Sequence, residues 1–550
     1  MYITLNDRQT CDYELLVNGG FAPLNGFLKK NEYKSVLKDM RLPNGDLWPM
    51  PICLAITEEM AKTIIHYKTV EIKDKTGLPL GEIEITDDSI YSYNWNEEAN
   101  AIFGSDDTNH PYTKILKNQY ESGYTYYVGG KILNGKLPPH YDFKEDRMTP
   151  AMTKEYFKKN NWNKIVGFQT RNPMHRSHYE LSKYALKMAG EDAKLLIHPV
   201  VGVTQDCDID YHTRVRCYKH LMNYYPENTA KLSLLPLSMR MAGPREAVWH
   251  ALIRKNYGCT HFVVGRDHAG PSYKKQDGSD FFGPYDAQEL LMSLKDEIGM
   301  KIIVSKLIVY AIHKETNVAG YHSIDSIDSN DYMIKKISGT QQRKMLNEGI
   351  PIPEWFSFPE VIDELTKEFA ILNQKGLCLY FVGLSGCGKT TIVNALMTRL
   401  KEKSLPMKIT YLDGDIVRLH LSKGLGFNKK DRSINTRRIG YVASEVVKHG
   451  GLCMVANIAP YQADRDFNKD IISSQGEYFQ IWVNTSLEIC EERDCKGLYK
   501  MAREGKIKEF TGISDPFEEP TDSDMIIDGS MDLDYLVDMI IKELEKRELL

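Results

Sequence analysis

Two short stretches of this chain carry residue types that grip anions. In QTRNPMHRSHYE, residues 169–180, Arg171 and Asn172 stand at a turn after the apolar run KIVGF, and two histidines, His175 and His178, follow three residues apart. In GLSGCGKTT, Gly383, Gly386 and Gly388 lead into Lys389, Thr390 and Thr391, with Leu384, Ser385 and Cys387 between the glycines. Both put donors where a strand hands over to a helix, and the free N–H groups of a helix start favour negative charge.

The second stretch fits G-x-x-x-x-G-K-[ST], with the strand-like CLYFV before it and a helical pattern, Val393, Leu396, Met397 and Leu400, after it. Its glycines let successive N–H groups converge on phosphate oxygens, Lys389 reaches the β and γ phosphates, and the Thr390 hydroxyl is a ligand for Mg2+. A Gly-rich turn that binds nothing leaves Lys389 and the two threonines unexplained. Downstream, KITYLDGDIVR reads as a strand delivering Asp413 and Asp415 to the edge where ligands of parallel sheets sit. Either carboxylate could organise Mg2+ or accept a hydroxyl proton from an acceptor substrate. For the basic run KKDRSINTRR, residues 429–438, spacing alone leaves a solvated charged face and a ligand site equally open.

For the first stretch three chemistries compete. Zinc hydrolysis needs histidines four apart with a Glu between them; Arg176 and Ser177 fill the gap here, and a neighbouring cation disfavours a metal dication, so no zinc is expected. A nucleophilic dyad needs a Ser or Cys against a base, and Ser177 is read as facing away from the pair. Anion binding accounts for more. Pro173 suits a first helical turn, the histidines then lie at the helix N-terminus, and Arg171 can hold a tetrahedral oxyanion through two nitrogens. A helical pattern through Leu181, Tyr184, Ala185 and Met188, followed by KLLIHPVVG, completes a β-α-β reading.

The elements that must hold these residues belong to more than one core, since 550 residues suggest three or four domains. Residues 1–146 hold short β-like runs between Gly, Asn and Asp turns, and residues 147–325 read as α/β. Residues 326–372 form a small connecting subdomain and linker, in which the Pro-rich, aromatic GIPIPEWFSFPE separates the region from a helix candidate, VIDELTKEFAILNQK. A second α/β unit fills 373–550. A net charge of -5 argues against general binding to nucleic acid or membrane surfaces. The start, MYITLNDRQTCDYELL, puts charge where a signal peptide needs an apolar run, and no stretch reaches the length of a membrane span, so a cytoplasmic location is expected. Ten scattered cysteines without a C-x-x-C pair read as free thiols, Cys387 included.

GLSGCGKTT, YLDGDIVR, LGFNKKDRSINTRRIGYVA, IAPYQADR and RDCKGLYKMAREGKIKEFTGI together resemble the adenylylsulfate kinase family over nearly all of residues 376–550. That family moves a phosphate from ATP to the 3′-hydroxyl of adenosine 5′-phosphosulfate (APS). The resemblance implies that Asp413, Arg418, Phe427, Arg432, Asn435, Ile458, Lys496 and Phe510 hold APS. Four positions depart from the family pattern: Ile434 and Thr436 replace Glu and Ile, Ala459 replaces a Ser near the nucleotide, and Phe517 replaces a Tyr.

NGGFAPLNGF, the histidine stretch, SMRMAGPREAVWHALIRKNYG, HFVVGRDHAGP and ISGTQQRKMLNEG, in that order, resemble the ATP sulfurylase (sulfate adenylyltransferase) family over residues 1 to about 360. The two resemblances imply an α/β multidomain chain: a β-rich, PUA-like N-terminal domain, a Rossmann-like nucleotidyltransferase domain, a small connecting subdomain and a P-loop kinase domain. They imply that Gln169 and Arg171 bind sulfate with the backbone of Ala269, and that Thr170, Arg171 and Asn172 form the active centre. Gln169 through Asn172 with Gly265, Arg266, Asp267 and His268 would contact ATP, with Ile308 beside the adenine. His175 and His178 would stabilise charge on the α and β phosphates. A sulfate oxygen attacking the α-phosphorus needs no protein nucleophile, only positioning and preorganised charge.

The expectation is a bifunctional enzyme of sulfate activation that makes APS and then 3′-phosphoadenylyl sulfate (PAPS), uses Mg2+ with ATP, and assembles as a homo-oligomer, dimer or hexamer. Two alternatives stay open. The C-terminal unit could be a non-catalytic nucleotide-binding regulator, although Lys389, Thr390, Asp413 and Asp415 are intact. The first unit could run in reverse, making ATP from APS and pyrophosphate, although a downstream kinase suits assimilation.

Overall fold

The computed structural model describes every residue except 206–207, 370–374, 404–406 and 495. Two compact units divide the chain, Met1–Thr366 and Lys367–Leu550. The expected run of the helix candidate through 370–374 lies outside the described residues; the helix is seen over Pro359–Phe369. Cys207 and Cys495 lie outside them too, and the other eight cysteines form no disulfide among the described residues.

Alternating apolar residues build the N-terminal sheets. Thr69–Lys73 buries Val70 and Ile72 on one face, as a half-covered strand must. It lies in a five-stranded sheet ordered Tyr2–Thr4, Thr69–Lys73, Pro79–Glu84, Gly130–Leu133, Gly26–Phe27; a three-stranded sheet runs Leu54–Ile56, Tyr126–Val128, Ile90–Ser92. Helices between these strands escape the β-rich reading. Asp7–Val17, closed by a reciprocal capping box between Asn6 and Gln9, buries Gln9, Asp12 and Glu14 among its apolar residues, which blurs the helical period.

A fully parallel sheet follows, ordered Ala230–Leu232, Lys194–Ile197, Ile165–Phe168, His261–Val264, Lys301–Val304. Ile165–Phe168 is buried throughout. The chain leaves it toward one neighbour, Lys194–Ile197, and later returns to the other, His261–Val264. The crevice beyond their C-terminal ends is therefore where a ligand belongs in such a sheet. The helix after the first strand spans Arg176–Ala189, so Pro173 lies in the preceding turn and not in the first helical turn. His175 is extended (φ -95°, ψ 178°), which prevents an earlier start. A small antiparallel sheet, Ala319–Ser323, Ile308–His313, Tyr332–Lys335, completes the unit's strands.

The second unit repeats the logic. Its parallel sheet runs Ile409–Asp413, Leu452–Ala456, Leu377–Val382, Glu477–Val483, Met525–Ile527, with the wholly buried Leu377–Val382 at the centre feeding the glycine loop. Among the described residues no helix is long and apolar enough to cross a membrane.

Candidate active sites

In the first unit a cavity of about 330 Å3 opens beyond Phe168 and Val263. Its wall brings together Gln169, Thr170, Arg171, Asn172, His178, Gly265, Arg266, Asp267, His268, Ala269 and Ile308. His175 is not part of that wall. Ser177, expected to face away, shares it with His178; the helix meets the cavity end-on, so its first residues ring the opening whatever their angular spacing.

Each donor is aimed by a partner behind it. The Gln169 side-chain carbonyl accepts from Arg254, which also donates to the His198 carbonyl at 2.9 Å. The amide is thereby turned so that its NH2 end is the donor, and its contact is a weak one to Met239 Sδ at 3.8 Å. Arg254 is fully buried, and desolvation pulls its guanidinium down to about 9, so it remains a cation at neutral pH. Among the described residues Arg171 contacts Met241 Sδ at 3.2 Å, Asp208 Oδ2 at 3.4 Å, the Gly270 carbonyl at 3.3 Å and Ser272 Oγ at 3.5 Å, so none of its oxygen partners is close. The carbonyls of this turn are occupied: Arg214 donates to Arg171 O at 2.7 Å, and Tyr218 and Thr170 donate to Asn172 O at 2.8 and 2.9 Å. Facing it, Asp267 (φ 53°) and Ala269 (φ 55°) adopt left-handed backbone that non-glycine residues enter at a cost of about 1 kcal/mol or more. Gly243 N–H donates to the Ala269 carbonyl at 3.1 Å, so of the two Ala269 backbone groups the N–H is the one open to an anion.

The two histidines have different surroundings. The His175 backbone N–H donates to His178 Nδ1 at 3.2 Å, so the His178 hydrogen sits on Nε2. Burial holds His178 down at about 4. It is a neutral N–H donor beside the helix start, able to meet phosphate charge without being a desolvated cation itself. His175 is more deeply buried, pulled down to about 3 first by burial, and its Nδ1 lies 2.9 Å from Ser357 Oγ. Arg176 N–H and Nε donate to the carbonyls of Phe356 and Glu354 at 3.2 and 2.6 Å. The stretch GIPIPEWFSFPE, expected to separate regions, is in this unit the support behind the helix start.

In the second unit the glycine loop is arranged from outside. Tyr499 OH, Arg493 and Thr485 OH donate to the carbonyls of Ser385, Gly386 and Cys387 at 2.8, 3.3 and 2.9 Å, which turns the loop's N–H groups to the other side. Gly383 (φ 148°) has Val483 O only 2.6 Å from where a Cβ would stand, so only glycine fits. Lys389 Nζ sits at the loop's centre against the Gly383 and Leu384 carbonyls at 2.8 and 2.7 Å. Thr390 and Thr391 lie in the first turn of the Lys389–Glu402 helix, and the Thr390 hydroxyl donates to Asp413 Oδ2 at 3.1 Å. Asp413 caps the next helix through the Asp415 N–H and accepts from Tyr411, each at 2.9 and 2.8 Å respectively, so it is immobilised. Asp415 is exposed and pairs with Lys496.

Residues 144–368 match the ATP-sulfurylase family, residues 375–528 match adenylylsulphate kinase, and residues 1–134 match a PUA-like domain. A protein named sulfate adenylyltransferase from Mycosarcoma maydis is 42% identical over 536 residues, 96% of this chain and 91% of the relative. The chain belongs to the ATP sulfurylase family and carries an adenylylsulfate kinase domain. A second protein named sulfate adenylyltransferase, from Gibberella zeae, is 42% identical over 554 residues, covering 100% of this chain and 94% of the relative. A solved structure described as a hexameric APS kinase from Thiobacillus denitrificans aligns over 99% of this chain and 93% of its own, with TM-score 0.55 and 28% identity. As an ATP sulfurylase and APS kinase fusion the chain is a nucleotide-using transferase of sulfate activation.

Of the residues assigned to APS by resemblance, Arg432 is already engaged with Glu509 O, Thr511 Oγ1, Tyr461 OH and Asp515, at 2.7 to 2.9 Å. It anchors the segment that carries Phe510. Asn435 is buried with its side-chain carbonyl unpartnered among the described residues, Phe427 is exposed and covered on one face by Arg418 at 4.5 Å, and Ile458 and Phe510 are half-buried. The basic run is thus divided, Arg432 and Asn435 inward, Lys429 and Lys430 outward. Missed by sequence reasoning in this ATP sulfurylase are Arg254, Arg214 and Ser357, together with Glu246 and His250. Glu246, His250 and Arg254 recur every four residues in GPREAVWHALIRKN, a polar stripe on a helix buried on every side, and that recurrence was the available signal.

Proposed function

We propose that the first unit joins sulfate to the α-phosphorus of ATP with release of pyrophosphate, and that the second phosphorylates the 3′-hydroxyl of the resulting APS to give PAPS. The observation that carries the reading is the single cavity shared by Gln169, Arg171, His178, His268 and Ala269, drawn from two loops at a nucleotide-type crevice. Sulfate is held by the Gln169 amide, the Arg171 guanidinium and the Ala269 N–H. Thr170 and Asn172 shape the turn, Gly265 to His268 take the nucleotide, and Ile308 packs on its base. His178 Nε2–H meets the charge that grows on the α and β phosphates, with His175 fixing its orientation. Donors already in place stabilise a developing anion without reorganising.

In the second unit the loop N–H groups of Gly383 to Thr391 and Lys389 hold ATP. The Thr390 hydroxyl and Asp413 carboxylate, hard oxygens 3.1 Å apart, are fitted to Mg2+, which when bound neutralises phosphate charge. Asp415, free of capping duty, takes the proton of the APS hydroxyl, and Lys496 holds that carboxylate in place. Arg418, Phe427, Arg432, Asn435, Ile458 and Phe510 form the APS pocket. The functional domains are 1–146, 147–325, 326–372 and 373–550. A cytoplasmic homo-oligomer, dimer or hexamer, working in assimilation, agrees with the unpaired cysteines and with the relative described as hexameric.

Purified chain given MgATP, labelled sulfate and pyrophosphatase should yield APS and then PAPS. APS alone would make the second unit a regulator, and neither product would overturn the reading.

A further inference from the structure

Two methionines stand behind the two side chains assigned to sulfate. Met239 Sδ lies 3.8 Å from Gln169 Nε2, and Met241 Sδ lies 3.2 Å from Arg171 Nη1. Both methionines are buried, at 5% and 2% exposure, and Met239 also belongs to the cavity wall. The segment that carries them is held on several sides. Met239 N–H donates to the Val203 carbonyl at 2.9 Å, and the Arg240 and Ala242 N–H groups donate to the two oxygens of Glu246 at 3.0 and 2.8 Å. Burial keeps His110 neutral, and its Nδ1 accepts the Thr113 N–H, so Nε2 carries the hydrogen and donates to the Met241 carbonyl at 3.0 Å.

The direction of both sulfur contacts is set by the groups themselves. A guanidinium only donates and a thioether only accepts. The Gln169 amide has its oxygen turned to Arg254, another pure donor, so its NH2 faces Met239. Sulfur is a weak acceptor, and neither contact satisfies its N–H as an oxygen would. A leucine in either place would fill a similar volume and offer the N–H nothing; a carbonyl or carboxylate would hold it and compete with an incoming anion. The charged oxygens of sulfate bond the same donors more strongly than sulfur does. Asp208 Oδ2 stands farther from Arg171 Nη1 than Met241 Sδ does, 3.4 against 3.2 Å, although sulfur is the larger atom.

We propose that Met239 and Met241 are positioning residues of the sulfate subsite, whose sulfurs aim the Gln169 amide and the Arg171 guanidinium through contacts that an oxyanion outcompetes. The inference rests on Gln169 and Arg171 being the sulfate ligands of the first unit. Both donors are oriented before sulfate arrives, and little is lost when they change partner.

The test is a pair of double-mutant cycles on the full chain, read as kcat/KM for sulfate and KM for ATP in sulfate-dependent pyrophosphate release. Met239→Leu and Met241→Leu conserve volume, a change that packing alone tolerates well. Each should lower kcat/KM for sulfate about three- to tenfold, the effect of one weak hydrogen bond, with KM for ATP within about twofold. In the Gln169→Ala background Met239→Leu should have no further effect, and in the Arg171→Ala background Met241→Leu should have none, while the crossed pairs keep the loss. Leucine variants with wild-type kcat/KM for sulfate, sulfate and ATP kinetics that worsen in step, or cycles that add throughout would overturn the proposal. Failure of both leucine variants to fold would overturn it too, by assigning the methionines to packing; if one folds, its own cycle decides. Unchanged kcat/KM for sulfate in both Gln169→Ala and Arg171→Ala would instead defeat the reading of those residues as sulfate ligands, and this inference with it.

Discussion

His175 Nδ1 lies 2.9 Å from the hydroxyl of Ser357, a residue 182 positions further along the chain. Both groups are buried. The contact ties the helix start that faces the sulfurylase cavity to a stretch whose sequence resembles a linker, and it makes the stretch part of the site.

Ser357→Ala should therefore impair the first activity alone. The change leaves His175 Nδ1 buried without its partner, a loss of about 1 to 3 kcal/mol, of which the part felt by His178 should lower sulfurylase kcat/KM about five- to tenfold. Kinase turnover of supplied APS should not change. Parallel loss of both activities would show that Ser357 serves folding in general.

Arg171→Ala removes a guanidinium whose oxygen partners among the described residues all lie 3.3 Å away or more. Sulfate-dependent pyrophosphate release should fall about 10²- to 10³-fold, as for other single oxyanion donors, with APS phosphorylation retained. A near-normal rate of sulfate adenylylation would place the oxyanion elsewhere.

Lys389→Ala should do the opposite, abolishing PAPS formation while pyrophosphate release continues. Asp413→Asn, which weakens the carboxylate facing Thr390, should raise the Mg2+ concentration needed for half-maximal kinase rate. An unchanged Mg2+ dependence would separate Asp413 from the metal.

Acid should destabilise the first unit. His110, His175 and His178 are held by burial at about 4, 3 and 4, and His198, His250 and His268 are also pushed well down. Below the ordinary value of 6.5 the unfolded chain binds protons that these folded rings refuse, so stability is full above pH 6.5 and falls as pH drops toward 4. Each such ring contributes up to about 2 kcal/mol of loss by pH 5. Five of the chain's six tryptophans, Trp48, Trp95, Trp162, Trp249 and Trp355, belong to the first unit. Their fluorescence during urea unfolding should show a lower midpoint at pH 5 than at pH 7; an equal or higher midpoint would contradict the buried neutral state.

What could be read from the sequence follows from how local each feature is. The glycine loop and the helix start at His175 are legible because strand, turn and helix terminus are consecutive, and the carboxylate at Asp413 needs only the strand before it. Arg254 behind Gln169 and Ser357 behind His175 are not, because their roles depend on contacts between distant segments. The Gly243–Asn256 helix hides its polar stripe because burial on all sides removes the contrast between faces on which periodicity depends. The N-terminal helices fail for the related reason that Gln9, Asp12 and Glu14 are buried. Ser177 lines the cavity with His178 because at a helix terminus the first residues ring the opening, whichever side of the helix they lie on.

The most direct test of two pockets acting on different phosphorus atoms follows the label. Wild-type chain is given sulfate, Mg2+ and pyrophosphatase with ATP labelled at the α-phosphorus in one reaction and at the γ-phosphorus in another. The expected result is PAPS labelled in both, with the γ-derived label alone released by a 3′-phosphatase and the α-derived label remaining in APS. Transfer of only one of the two atoms at saturating substrate would contradict the account.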